Sequence, residues 1–260
     1  MIQPIRGKKA REEREYDKTQ LREKQYGTQV HRDYAAHFFR WGFVKRFIKL
    51  GSTVLDVGCG QDKSLAKILS PSLSTIPKLY VGIDLNTLSE SFNPAWAKWF
   101  EQFNFVERYN ELVKIYKSFE VVVCLEVIEH MTRENGLRLL RGLFECCAKD
   151  GLVILSTPVF DGKAARNHVH EWMIIELQKA LVETGFMIIG RFGTFASHQK
   201  SFLLVLSIHE REIYDKLLTY YSHDVVSCFL APLHPDQSRN NVWLCQKPIL
   251  GYKPHKPHKH

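Results

Sequence analysis

Residues 54–60 read VLDVGCG. An apolar strand runs into Asp56 and then into a turn that holds Gly58 and Gly60. Glycines there let the backbone bend sharply and come close to a ligand at the carboxyl end of a first strand. A dinucleotide site would carry a third glycine and present a helix N-terminus to a pyrophosphate. Here the run continues Gly58-Cys59-Gly60-Gln61-Asp62-Lys63. Position 63 is not glycine, and an acid at 62 sits poorly beside a phosphate. YVGIDLN (80–86) is the second landmark: Asp84 ends a second strand 24 residues after Gly60. A carboxylate at that point can accept hydrogen bonds from both ribose hydroxyls. The two landmarks together suit a nucleoside joined to an amino acid that carries an amine and a positive centre.

The rest of the chain repeats the strand-then-helix rhythm. Strands are expected at 53–57, 79–84, 103–108, 120–125, 152–157, 187–192 and 201–208, with helices at 62–70, about 133–148 and 171–184. Near-continuous apolar strands alternating with helices call for a parallel sheet covered on both faces. Only GTFASHQK separates the last two strands, too little for a crossover helix, so they are expected to form an antiparallel hairpin. Residues 1–50 form a basic helical extension, with Tyr34, Phe38, Trp41, Val44 and Ile48 at three- and four-residue steps. Residues 51–208 are the cofactor-binding domain. Residues 209–260 are an appendage that closes in GYKPHKPHKH, a basic His/Lys/Pro tail expected to be disordered.

Composition narrows the setting. At 260 residues and 45% hydrophobic content the chain can bury a real core. No stretch approaches the ~18 uncharged apolar residues of a membrane span, and the charged start MIQPIRGKKAREEREYDK is no secretory signal. The six cysteines show no CxxC pairing, which suits reduced thiols and a cytoplasmic location. Residues 1–50 hold 13 Lys/Arg against 6 Asp/Glu, and residues 246–260 hold four lysines and no acid. The whole chain is +8, so the middle is slightly acidic and the basic character belongs to the ends. Cationic ends on a neutral body suit a polyanionic partner such as nucleic acid; solubility alone would also explain them. The segment 86–105 is dense in Trp and Phe, and core packing is the preferred reading over a base-stacking surface.

The ordered series VLDVGCG, VGIDLN, VVVCLEVIEHM, KDGLVILSTP and NHVHEW resembles the class I S-adenosylmethionine-dependent methyltransferases, over residues 53 to about 208. The resemblance implies an α/β, Rossmann-like, doubly wound fold: seven strands, mostly parallel, ending in an antiparallel hairpin. It implies S-adenosylmethionine as cofactor and S-adenosylhomocysteine as product. Carried over by motif, the amides around Gly58 and Gly60 and the Asp56 carboxylate hold the methionine part, Asp84 takes the ribose, and Leu85 packs on the adenine. Arg108 and Tyr109 would flank the adenine. The activity implied is methyl transfer to a hydroxyl or amine of an anionic acceptor, with nucleic acid among the candidates. A metal-free small-metabolite methyltransferase is the alternative enzyme, and an inactive cofactor-binding partner subunit that recruits nucleic acid is the alternative from another class.

LEVIEHM (125–131) sets Glu126, Glu129 and His130 at the end of the fourth strand, and NHVHEW brings His168, His170 and Glu171 from beyond the fifth. Methyl transfer from a sulfonium needs alignment and dryness, and an oxygen nucleophile also needs its proton removed. Two kinds of enzyme share the loop. In metal-free small-molecule methyltransferases with an EVIEH loop, the first glutamate, here Glu126, shapes the cofactor pocket, and a later histidine acts as base. The loop also resembles that of small-RNA 3′-terminal 2′-O-methyltransferases, in which two glutamates and two histidines hold a divalent metal. The matching residues would be Glu126, Glu129, His130 and His170, although His170 is followed directly by Glu171-Trp172 where that family keeps an intervening residue. The pocket-wall reading is preferred, with His130, His170 and Glu129 as catalytic candidates and no metal ligand assigned. No Asn/Asp-Pro-Pro-Tyr/Phe motif and no Pro-Cys pair is present, which disfavours conventional DNA base methylation.

Overall fold

The computed structural model describes residues 32–70, 76–162, 164–196 and 201–248. Its elements are α1 (Arg32–Lys45), β1 (Thr53–Val57), α2 (Ser64–Leu69), β2 (Leu79–Ile83), β3 (Ala97–Phe100), α3 (Phe105–Tyr116), β4 (Phe119–Leu125), α4 (Arg133–Cys146), β5 (Cys147–Pro158), α5 (Ile174–Thr184), β6 (Met187–Ala196), α6 (Ser201–Val205), α7 (Ile208–Leu218), α8 (His223–Leu230) and β7 (Ser238–Gln246). One seven-stranded sheet has the order β3-β2-β1-β4-β5-β7-β6. The pairs among β1 to β5 are parallel, and β7 runs antiparallel to both β5 and β6. The chain winds outward from β1 through β2 to β3, then returns to place β4 on the other side of β1. The reversal opens a crevice at the carboxyl ends of β1 and β4, where open α/β sheets bind ligands.

Apolar residues on both faces of each central strand force cover on both sides. Leu55, Val57, Val81, Ile83, Val122, Val153 and Leu155 pack against α3, α4 and α5 through Leu112, Leu139, Leu140, Leu143, Leu177 and Leu181. Val54, Tyr80, Val121, Val123 and Ile154 face the other way, onto Val44, Ile48, Leu65 and Leu69. The aromatic segment 86–105 joins these layers: Phe92, Trp96 and Trp99 pack around Tyr80, while Phe103 and Phe105 are buried in the first cluster. Core packing therefore accounts for them.

Two expected strands are helices. FNFVER (103–108) was the expected third strand; the edge strand is instead Ala97–Phe100, and Phe105 opens α3. Phe105, Tyr109, Leu112, Val113 and Tyr116 follow helical spacing and pack toward the core, which a six-residue window does not reveal. SFLLVLSI (201–208) holds α6 and the start of α7; Leu203 and Leu206 pack on Tyr214, Val226 and Leu230, while Leu204 stays exposed. The hairpin partner of β6 is β7, deep in the segment 209–260 expected to be an appendage. In SRNNVWLCQ, Val242 and Leu244 enter one layer, and Trp243 and Cys245 the other. The expected helical extension over 1–50 is described only from Arg32, and the tail 249–260 lies outside the described residues. Among the described residues, no helix is long and apolar enough to cross a membrane.

Candidate functional site

The turn after β1 is left-handed at both glycines, with φ of 73° at Gly58 and 72° at Gly60. A Cβ on Gly58 would lie 2.4 Å from Val127 Cγ2, so the position admits no side chain without movement. The amides of Gly58 and Cys59 donate to the Ile83 carbonyl at 2.9 and 3.0 Å, which ties the turn to the end of β2. Gly60 N donates to Asp84 Oδ2 at 2.9 Å, and Asn86 donates to Asp84 Oδ1 from its amide at 2.8 Å and its side chain at 3.0 Å. The Asp84 carboxylate is thereby held at the rim of a cavity of about 400 Å³. Gly58, Gly60, Leu85, Phe103, Asn104 and Glu126 share its lining. Leu85 is 67% exposed, an apolar side chain facing open space.

Arg108 and Tyr109, expected beside an adenine, are not in that lining. Arg108 pairs with Glu111 on the surface of α3, and Tyr109 packs against α4 at Gly142. The wall is built instead from the residues leading into α3, Phe103 and Asn104, and from its first turn, Phe105, Val106 and Glu107. Asp56 borders a second, smaller cavity of about 40 Å³, which shares Gly58, Gly60 and Leu125 with the large one and adds His37 and Trp41. The Tyr80 hydroxyl donates to Asp56 Oδ2. Burial pushes the Asp56 carboxyl up to about 7, against the lowering effect of that bond and with a further push from the Asp84 charge.

At the end of β4 the two glutamates part. Glu126 adopts φ of 57°, a left-handed conformation that costs a non-glycine residue energy and is often held at functional sites. Its carboxylate accepts from Ser156 Oγ at 2.7 Å and from Asn240 Nδ2 at 2.6 Å. Arg40 Nε lies 3.9 Å from it, and the Arg40 guanidinium, 2% exposed, also donates to Thr194 at 3.4 Å and to His37 at 3.1 Å. Glu126 is thus stitched to α1, β5, β6 and β7.

Glu129 sits in a short 3-10 turn over Ile128–His130 and is 1% exposed. Thr157 Oγ1 donates to its carboxylate at 3.2 Å. Burial, reinforced by the nearby Glu126 charge, pushes the Glu129 carboxyl well above the usual range, a penalty that a neighbouring cation would relieve. Its carbonyl accepts the amides of Val169 at 2.8 Å and His170 at 3.1 Å, which docks the β5–α5 connection onto the turn. His130 Nδ1 donates to the Asn167 carbonyl at 3.1 Å, and His168 Nδ1 donates to Glu171 at 2.6 Å. The two imidazoles meet edge to face at 5.1 Å. Burial alone would raise the Glu171 carboxyl, but bonds from His168, Arg239 and the Ala165 amide hold it at about 2.

Ligand-type atoms of Glu129, His130 and His168, one from each, lie within 4.8 Å of one another. His170 is not in this group. Its ring rests on Trp172 at 4.9 Å, and its Nε2 lies 3.4 Å from Glu176 Oε2, at ion-pair distance but without hydrogen-bond alignment. The set of Glu126, Glu129, His130 and His170 therefore does not converge; His168 takes the place of His170, and Glu126 belongs to the Arg40 network. The donor set fits a divalent ion. A carboxylate oxygen with two imidazoles suits manganese, iron, cobalt or zinc better than magnesium. With both Nδ1 atoms committed to acceptors, Nε2 is the nitrogen left with a lone pair in each neutral ring.

A family model described as a methyltransferase domain matches residues 26–185, and the chain belongs to that family. Its fold is that of the class I S-adenosylmethionine-dependent methyltransferases. It is 30% identical over 106 residues to the ubiquinone biosynthesis O-methyltransferase of Rickettsia typhi, a match that covers 40% of this chain and 40% of that one. Among solved structures it is similar to a SAM-dependent methyltransferase from Archaeoglobus fulgidus, with a TM-score of 0.54, 14% identity, and coverage of 86% of this chain and 97% of that one. The small RNA methyltransferase HEN1 gives 0.53 at 14% identity, over 85% of this chain and 26% of that one. The [4+2]-cyclase SpnF gives 0.55 at 13% identity, over 84% and 82%. Likeness at this level is likeness of fold, and the acceptor has to be argued from the site.

Proposed function

We propose that this methyltransferase transfers its methyl group to a hydroxyl oxygen of an anionic acceptor, with a divalent metal held by Glu129, His130 and His168. The convergence of those three donors within 4.8 Å, at the mouth of β4, carries the reading. In the same reading Asp84 accepts the ribose hydroxyls of S-adenosylmethionine. Three donors already reach that carboxylate, and of its roughly four lone-pair sites about one stays open, so the second hydroxyl would take the place of the Asn86 side chain. Leu85 and Phe103 flank the adenine, the turn at Gly58 and Gly60 with Asp56 takes the methionine end, and Glu126 walls the pocket near the sulfonium.

Transfer is an in-line displacement: the acceptor hydroxyl releases its proton to solvent, its oxygen bonds to the methyl carbon, the carbon–sulfur bond breaks, and S-adenosylhomocysteine leaves with the electron pair. When bound, the metal would lower the pKa of the acceptor hydroxyl. The chain supplies alignment and dryness around the reacting atoms. A second reading has its own support: with the Asn167 carbonyl holding the His130 proton on Nδ1, Nε2 of His130 can take the hydroxyl proton as a general base without metal. Oxygen as the acceptor atom is supported by the Rickettsia typhi relative, an O-methyltransferase. An anionic acceptor is supported by the basic ends and by Arg138 at the cavity rim. Nucleic acid is the first class to test. All six cysteines are buried, and none lies in a CxxC pair, which supports a reducing, cytoplasmic setting.

The test is transfer of labelled methyl from S-adenosylmethionine into separated RNA, DNA and small-molecule fractions, with and without EDTA. The expected result is label in an anionic fraction, base-stable as an ether, lost with EDTA and restored by Mn²⁺. Label that ignores EDTA would overturn the metal and favour His130 as base. Label only in amines or uncharged molecules would overturn the acceptor.

A further inference from the structure

His168 lies in the connection between β5 and α5, with neither helix nor strand to hold it, yet only 12% of its side chain is exposed. Glu171 is what fixes it. Glu171 Oε1 accepts from His168 Nδ1 at 2.6 Å and from the Ala165 amide at 2.9 Å, and the Glu171 side chain is fully buried. Arg239, on β7, closes the other side: Nη2 donates to both carboxylate oxygens at 2.7 and 2.8 Å, while Nη1 donates to the Val159 carbonyl. The Arg239 Nε lies 3.7 Å from Asp161 Oδ2. A buried acid just ahead of a helix could be a cap, but α5 begins at Ile174 with Met173 as its N-cap and no side-chain cap. The Glu171 side chain bonds to the loop amide of Ala165, to His168 and to Arg239.

Resting on the reading of Glu129, His130 and His168 as a metal site, we propose that Glu171 and Arg239 are positioning residues for His168. Glu171 keeps the imidazole proton on Nδ1 and leaves Nε2 bare for the metal, and Arg239 locks the Glu171 carboxylate in the orientation that does so. An acceptor on the far nitrogen of a metal-binding imidazole sets its tautomer and ring angle, and loss of such a partner typically weakens metal binding about 10- to 100-fold. Arg239 comes from β7, so the last strand in the chain reaches the chemistry through one charge-assisted contact from Nη2.

Two measurements test this. The first uses the wild-type protein alone: ¹⁵N spectra of labelled histidines, with His168 assigned by comparison with His168→Gln. The expected tautomer carries its proton on Nδ1; a proton on Nε2 overturns the proposal, whether or not any variant folds. The second is Mn²⁺ titration followed by electron paramagnetic resonance. Glu171→Gln is expected to bind Mn²⁺ about 10- to 100-fold more weakly than wild type while holding S-adenosylhomocysteine with unchanged affinity, which reports an intact fold. Equal Mn²⁺ affinity in the two proteins overturns the positioning role. Wild type that binds no Mn²⁺ overturns the metal reading itself, and the tautomer measurement still decides what Glu171 does to the ring.

Discussion

Glu126 and Glu129 stand three positions apart, yet one is bonded into a network with Arg40 and Asn240 while the other is buried beneath two histidines. A left-handed residue at Glu126 makes that divergence, because it turns the chain between the strand and the 3-10 turn. The same local geometry separates His168 from His170. On an extended segment, residues two positions apart would point their rings one way. The segment is a turn instead, with the His168 amide bonded to the Ala165 carbonyl, and the rings diverge. His168→Ala is therefore expected to reduce metal-supported methyl transfer by more than about 100-fold, beyond the loss typical of an outer partner. His170→Ala should change it little, and steady-state rates at saturating Mn²⁺ compare the two. The turn at Gly58 and Gly60 was legible in the sequence because glycines at the end of an apolar run are a local pattern, and the structure ties Asp84 to it through Gly60. The choice of histidine was not legible, because it depends on how a loop docks on the Glu129 carbonyl.

Among the elements, β7 carries the clearest consequence. Read from its apolar content, SFLLVLSI (201–208) is the expected last strand, with residues 209–260 an appendage. The structure gives that segment to α6 and α7 and takes its strand from Ser238–Gln246, between β5 and β6. A chain ended after residue 208 would leave the inner edges of β5 and β6 unpaired and remove the Asn240 and Arg239 contacts to Glu126 and Glu171. Such a chain is expected to show no cooperative unfolding transition by circular dichroism. β1, β2, β4 and β5 were legible because their apolar runs are flanked by turns and buried on both faces. α3 and β7 were not: a short apolar window reads alike as strand or helix, and only distant partners decide.

The stability of the molecule as a whole should carry the mark of Asp56. Its carboxyl titrates near 7 when folded, against 3.8 for its ordinary value, so between those limits the folded state holds a proton that the unfolded state has released. Stability attributable to this group therefore falls as pH rises from about 4 to about 7 and then levels, a span worth at most about 4 kcal/mol. Asp56→Asn is expected to flatten that slope, read as urea midpoints at pH 5 and pH 8. The sheet order has another outcome, in time rather than in energy. The glycine turn, the glutamates and the histidines leave the ribosome well before β7 does, so a nascent chain carries these residues while Glu126 still lacks Asn240 and Glu171 still lacks Arg239. Competence to transfer methyl then arrives in one late step, when the strand threads between β5 and β6, and prematurely ended translation products would be inert instead of indiscriminate.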